Sequence, residues 1–428
     1  MANQILCGSV KKPEKLKFET KHWQVFETSK GVFRLFNAYY DDRNFYKQQN
    51  QSMIKTLAMV SRKAQEAKTY FQLWFDGIDE PIITNACEYR VAWLARYKQN
   101  KFGSEPIFIS CPNPLASLNL VPTTVSLVEH QCDNASNNLK IIHNKPKLKE
   151  KKTIGTCTLL YYYKDFNNTM KLVEWIELVL LLGSDQIIFY VFEVHPEIIK
   201  VLKYYQTATD KITIELLTIP DDLIIEIEKH SRIQTVQNQM IALNDCLYKH
   251  MHEFKFLVPL DIDELLIPSR DEDKRWDDLL NRVIEVGEPL KSSYVATSVF
   301  FLTNNNHENE TQPEIPSNFF FLQKVFRAKR FTGKYSGPKS FQNTELVDVM
   351  HNHFPMFCFG NETCSNIFLN TEDARLHHYR HDCPMYFLKY RRELRNDTVR
   401  DETLWKYKDE IIKNVNKTME ALNTFKMP

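Results

Sequence analysis

From residue 153 the chain alternates between two hydrophobic periods, and this alternation constrains its fold more than any other feature. Residues 153–163 form a run of strand formers. Residues 168–182 then place Leu172, Ile176, Val179 and Leu180 at helical spacing, with Gly183 where a helix C-cap belongs. A second strand is predicted over 187–192, a helix opened by Pro196 over 196–205, and a third strand over 212–217. Residues 234–249 predict a further helix, followed by a fourth strand, Phe254-Lys255-Phe256-Leu257-Val258-Pro259-Leu260. Strands separated by helices of this length form βαβ units, so the expected fold class is α/β, a mainly parallel sheet flanked by helices. Ligands of such sheets sit beyond the carboxyl ends of the strands.

The fourth strand ends there in Asp261-Ile262-Asp263-Glu264. Residues two apart on an extended chain share a side, so Asp261 and Asp263 converge while Ile262 faces the other way. Paired carboxylates suit a hard divalent cation, Mn²⁺ or Mg²⁺, that also takes phosphate oxygens. Glu264 reads as a support for the pair. Asp271-Glu272-Asp273 repeats the pattern in a polar stretch and reads as a solvated loop. There is no GxGxxG and no P-loop, and ten glycines leave little material for a phosphate cradle. The cation is therefore the expected phosphate ligand.

Upstream, residues 20–130 alternate in short runs between turn residues, which predicts a β-rich N-terminal domain. Residues 144–152 interrupt that pattern with proline and charge, and the boundary is placed there: a domain over 1–152, a second over 153–395, and a helical tail over 396–428. With 428 residues, 43% hydrophobic and 25% charged, the chain has material for two globular domains. Lysine plus arginine (55) balances aspartate plus glutamate (54), so no nucleic-acid partner is expected. The longest apolar candidate, 175–192, is broken by Gly183-Ser184-Asp185-Gln186, and residues 1–12 lack an apolar core. A membrane association is expected only through an anchor not visible in this sequence.

Nine cysteines without a CxxC pair argue against zinc and leave two readings, a few disulfides with one odd thiol or buried reduced cysteines. Asn50, Asn134, Asn167, Asn309, Asn361, Asn396 and Asn416 each open an Asn-X-Ser/Thr sequon, which favours a secretory-pathway lumen.

Several blocks in combination resemble glycosyltransferase family 92. They are Glu174-Trp175-Ile176-Glu177 with Leu182-Gly183, Gln239 with Ala242 and Asn244-Asp245-Cys246-Leu247, and Asp261-Ile262-Asp263-Glu264 with Pro268. Further similarity lies in Lys339-Ser340 followed by His353, in Leu376 with His378-Tyr379-Arg380, and in Phe36-Asn37-Ala38-Tyr39-Tyr40-Asp41-Asp42-Arg43. Asn343-Thr344 stands where the family has Arg-Pro.

The resemblance implies a GT-A-like fold and an inverting, metal-dependent transfer of a hexose from a UDP-sugar, as in the family's UDP-galactose enzymes. The acceptor would be a glycan on glycoprotein or glycolipid, and the place the Golgi lumen, reached through an N-terminal anchor absent from this sequence. Asp261 and Asp263 would hold the cation, Asp261 also meeting the donor, with His353 completing the sphere and His351 its rival. Lys339 would offset diphosphate charge. Asp245 would accept from uracil or ribose or else cap local structure, and His378 and Arg380 would line the diphosphate or acceptor side. Trp175 and Tyr161 to Tyr163 read as core and sheet residues rather than sugar platforms, with stacking on the base the alternative for the strand-end Tyr163. Glu308, Glu310 and Glu314 follow a predicted strand where an acceptor would approach, yet none is assigned as the general base. The alternatives are an inactive glycan-binding descendant of the same fold and a metal-dependent nucleotidyltransferase.

Overall fold

All four strands expected between 153 and 260 form, and they pair in parallel. Lys152–Tyr161 lies between Gln186–Phe192 and Phe254–Pro259, with Ile212–Leu216 outside Gln186–Phe192. The chain thus winds outward in one direction from Lys152–Tyr161, then returns to its other side. This is the topological switch that opens a crevice at the carboxyl ends of Lys152–Tyr161 and Phe254–Pro259. The sheet continues through Lys339–Asn343, antiparallel to both neighbours, to Ser293–Ala296 and Asn366–Phe368. It is therefore a mixed sheet within an α/β fold. The computed structural model describes residue 7 and residues 10–93, 103–145, 149–161, 169–221, 223, 232–285, 287–307, 310–360 and 363–427.

The flanking helices follow their sequence signals. Thr169–Leu182 buries Leu172, Trp175, Ile176 and Val179 against the sheet. It stops at Gly183, whose φ of +115° and a would-be Cβ 3.2 Å from the Trp276 nitrogen leave room for glycine alone. Pro196–Ala208 opens with proline in its first turn, and the His195 ring accepts from the Glu197 N–H as N-cap.

The segment 396–428 is integrated rather than a separate tail. Thr398–Arg400 pairs with Phe326–Ala328, and Lys408–Thr424 inserts Ile411, Val415 and Leu422 into the same core as Leu172 and Ile176. Glu177 joins three helices there, accepting from Tyr205 (2.5 Å) and Thr418 (3.1 Å). Residues 271–273 also depart from a solvated loop: Asp271 and Glu272 are exposed, but Asp273 is buried and paired with Arg282 at 2.5 Å.

Among the described residues, the N-terminal region forms a ten-stranded sheet. The ends of its path are Ile82–Asn85 and Glu88–Val91, which are consecutive in the chain. One segment therefore pairs with Tyr70–Trp74 on one side and Ser104–Pro112 on the other, curling the sheet into a barrel and leaving Phe18–Thr20, which pairs with Trp23–Thr28, at an edge. Phe33, Leu35, Ala38, Ile54, Phe71, Ile107 and Val125 fill the interior. A register shift between Leu35 and Asn37 turns Phe36 and Tyr39 outward, where they pack with Trp23 and Phe108 on Tyr190, Met240 and Leu247 of the second unit.

Buried charge completes that interface. Arg43 pairs with Asp41 at 2.7 Å and donates to the carbonyls of Thr344 (2.7 Å) and Val347 (2.6 Å), while Lys55 and Arg90 pair with Asp348. Asn343-Thr344 serves the same region, since the Thr344 hydroxyl donates to the Phe254 carbonyl at 2.7 Å.

Three disulfides form, Cys7–Cys132, Cys157–Cys246 and Cys358–Cys364. Cys87, Cys111 and Cys383 remain thiols, so more than one is left over. Among the described residues no helix is long and apolar enough to cross a membrane. Asn50, Asn134, Asn396 and Asn416 are exposed, whereas Asn167, Asn309 and Asn361 lie outside the described residues.

Candidate active site

At the switch point a cleft of about 370 Å³ opens between the end of Lys152–Tyr161 and the acidic turn after Phe254–Pro259. Leu159, Leu160 and Tyr161 form one wall, and Lys171, Gln239, Asp261 and Asp263 contribute its polar groups. Asp261, Asp263 and Glu264 bring ligand oxygens within 4.8 Å of one another, the one such group of three among the described residues. The turn that holds them is braced from several elements. Glu264 accepts the Asp261 N–H at 3.1 Å, Trp175 donates to the Glu264 carbonyl at 2.9 Å, and the Tyr379 N–H reaches the Asp263 carbonyl at 2.8 Å.

Lys339 enters from the antiparallel strand. Its ammonium is buried 3.1 Å from Asp261 Oδ2 and 3.0 Å from Glu264 Oε2. Burial opposes its charge, but the two carboxylates outweigh burial and raise its pKa. Glu264 behaves oppositely. Burial raises its pKa to about 7, with Lys339 pulling down and Asp261 pushing up. His378 bridges the far side, with Nε2 3.5 Å from Asp263 Oδ2 and Nδ1 3.5 Å from Glu264 Oε1. Burial disfavours the His378 cation, yet Glu264 and Asp263 prevail and raise its pKa. At Asp263 burial resists ionisation, but His378 leads Lys171 and Arg380 in holding the pKa at about 2. Arg380 approaches through its Nη1, 3.4 Å from His378 Nε2.

His353 lies outside the close acidic group, next to Lys339 and His351 in the field they share. Its Nδ1 is 2.9 Å from the Pro338 carbonyl, which only accepts, so Nδ1 carries the proton and Nε2 presents a lone pair. Burial and Lys339 keep the ring neutral by lowering its pKa. Asn352, between the two histidines, donates to Gln239, and Gln239 donates in turn to Asp261 Oδ1 at 3.0 Å.

Asp261, Asp263, Lys339, His378 and Arg380 are thus gathered at one place, with His353 adjoining. Asp245 is not among them. It is fully buried where the barrel meets the helix Arg232–His250, accepting from Asn37 (2.7 Å), Tyr39 (2.5 Å) and Tyr190 (2.6 Å) and paired with Lys249 (2.8 Å). With both oxygens occupied inside the protein it is an anchor between units, which corrects its expected role toward uracil or ribose. Nor do Glu310 and Glu314 reach the cleft. Glu310 pairs with His307 and Glu314 with Lys408 on the surface, and Glu308 lies outside the described residues, as does Tyr163.

Two further residues, to which the sequence assigned no role, matter here. Glu174 accepts the N–H groups of Phe320, Phe321 and Leu322 at 2.6–3.1 Å and so fixes that segment beside the cleft. Lys171 then lays its ammonium 4.0 Å from the Phe320 ring centroid. Burial lowers the Lys171 pKa, against the attraction of Asp263 and Glu174. Their partners lie far along the chain, so no local pattern marks either role.

The profile of glycosyltransferase family 92 matches residues 152–415. No curated protein matches the chain. The matched region begins on the first residue of Lys152–Tyr161 and ends inside Lys408–Thr424, leaving the barrel and the Phe36 to Arg43 block outside. It contains every residue of the cleft and more than half the sequence, and the chain belongs to glycosyltransferase family 92.

Proposed function

We propose that this glycosyltransferase moves a hexose, galactose from UDP-galactose, onto a glycan acceptor with inversion, using Mn²⁺ or Mg²⁺ in the Golgi lumen. The reading rests on one observation: Asp261, Asp263 and Glu264 converge within 4.8 Å at the mouth of a cleft at the switch point of the parallel strands. This oxygen donor set fits a hard cation, and a switch point in the strand order supports a nucleotide site there, as the GT-A-like reading expects. When bound, the cation supplies positive charge to the departing diphosphate. Asp261 and Asp263 hold it, and His353 offers the Nε2 lone pair that its Pro338 hydrogen bond leaves open. Lys339 neutralises part of the acidic cluster, so that a diphosphate meets less repulsion. Leu159 to Tyr161 offer the apolar wall for the nucleoside, and His378 and Arg380 line the side beyond Asp263. In an inverting transfer the acceptor oxygen bonds to the anomeric carbon as the bond to UDP breaks, and a base takes the acceptor proton. Three disulfides and the exposed sequons support a secretory-pathway lumen.

Purified protein is incubated with a panel of UDP-sugars and Mn²⁺, and free UDP is measured. UDP-galactose should release UDP fastest, and chelation should stop it. Release from no donor, or release indifferent to chelation, would contradict the reading.

A further inference from the structure

The loop that delivers Lys339 to the acidic cluster carries an aromatic ring that the chemistry above does not use. The Ser336 N–H bonds to the Gly333 carbonyl at 2.8 Å, closing a turn that places Tyr335 outside, 61% exposed. A single exposed ring is ordinary on a protein surface. Tyr335 is held, however. Phe354 meets it at 5.9 Å and 81° between planes, and Phe368 at 5.3 Å and 80°. Edge-to-face contacts of this kind fix a ring's orientation and favour it beyond the area they bury. No hydrogen bond engages the hydroxyl among the described residues, so the ring is held by its aromatic neighbours and not by its polar tip.

The same shelf runs inward to the candidate site. Phe354 lies 6.3 Å from His351, His351 5.5 Å from His353, and His353 binds the Pro338 carbonyl one residue before Lys339. Tyr335 is therefore at most about 14 Å along the chain from the lysine that pairs with Asp261, a span bridged by a short oligosaccharide. We propose that Tyr335 is the stacking platform for a pyranose of the acceptor glycan, set back from the sugar whose hydroxyl is glycosylated. The proposal rests on the glycosyltransferase reading for its ligand class. A pyranose presents an apolar face of axial C–H groups, and a pre-oriented tyrosine offers matching area with few torsions left to freeze. The nucleoside, by contrast, has its apolar wall at Leu159 to Tyr161.

Two variants and two readouts test this. In transfer assays Tyr335→Ala should raise the acceptor KM about tenfold, equivalent to about 1.4 kcal/mol, with little change in the KM for the UDP-sugar. Tyr335→Phe, which keeps the ring, should retain the acceptor KM. Independently of donor and metal, saturation-transfer NMR with lactose, chitobiose and mannobiose should mark one face of at least one of these sugars in the wild type and in Tyr335→Phe, and lose that signal in Tyr335→Ala. Equal saturation in Tyr335→Ala, or none in the wild type with any of the three, overturns the platform. Failure of the glycosyltransferase reading would appear separately, as absence of metal-dependent UDP release.

Discussion

Lys339→Met isolates the electrostatics of the cleft. Methionine is similar in length and carries no charge, so the strand retains its packing and loses only the ammonium. Asp261 is 39% exposed, and water screens most of its share, so the loss falls on Glu264, which is 2% exposed. Breaking a buried pair from one side costs about 3–5 kcal/mol because the remaining charge stays desolvated. Glu264 escapes part of that cost by taking a proton, and its pKa of about 7 rises further once the lysine is gone. The folded variant then binds a proton that the unfolded chain releases, so the deficit grows as pH rises. Guanidinium unfolding in the presence of a chelator should show a loss of about 3–5 kcal/mol at pH 8 and a clearly smaller one at pH 6. Adding Mn²⁺ at about a hundred times its dissociation constant should return about 2.7 kcal/mol to the variant. A loss below about 1 kcal/mol at pH 8, or one that shrinks as pH rises, would refute the argument that Lys339 is the buried counter-charge.

Three further outcomes follow from named contacts. His353→Ala should slow transfer more than His351→Ala, and its deficit, about tenfold or more in metal affinity, should shrink along a Mn²⁺ titration; rescue confined to His351→Ala would move the ligand by two residues. Burial lowers the His377 pKa from 6.5 to about 4, so its contribution to stability is complete above pH 6.5 and is lost as pH falls toward 4, about 3 kcal/mol in all. His377→Phe should flatten the stability profile in that window, and an unchanged slope would contradict the assignment. Replacing Cys157 and Cys246 together by alanine removes a link across 89 residues and should cost about 4–5 kcal/mol in the chain-entropy account; a non-reducing unfolding curve that does not move would argue that the pair is not bonded.

The strands and helices between 153 and 260 were legible because each carries its own signal: the apolar run of Phe254–Pro259, the glycine after Thr169–Leu182, the proline opening Pro196–Ala208. The convergence of Asp261 and Asp263 was legible for the same local reason. Asp245 misled because a polar residue inside a family block looks functional, whereas its partners Asn37, Tyr39 and Tyr190 come from distant segments that no spacing reveals. Glu174 was opaque likewise, its three N–H donors lying around residue 321. Barrel closure depends on one segment, Ile82 to Val91, pairing on both sides, and alternation alone does not choose a strand's neighbours. Cysteine pairing was equally beyond composition, since nine residues permit many connectivities.

The most direct test is calorimetric titration of UDP into the wild type and into Asp263→Asn, with Mn²⁺ and with a chelator. Asp263 keeps its charge at neutral pH, with a pKa of about 2, and its carboxylate is 33% exposed, so asparagine removes a cation ligand with little effect on packing. The account predicts UDP binding by the wild type only with Mn²⁺, and by the variant under neither condition, with the variant still folded at the temperature of the titration. Binding by the wild type in chelator, or wild-type affinity in Asp263→Asn, would contradict it.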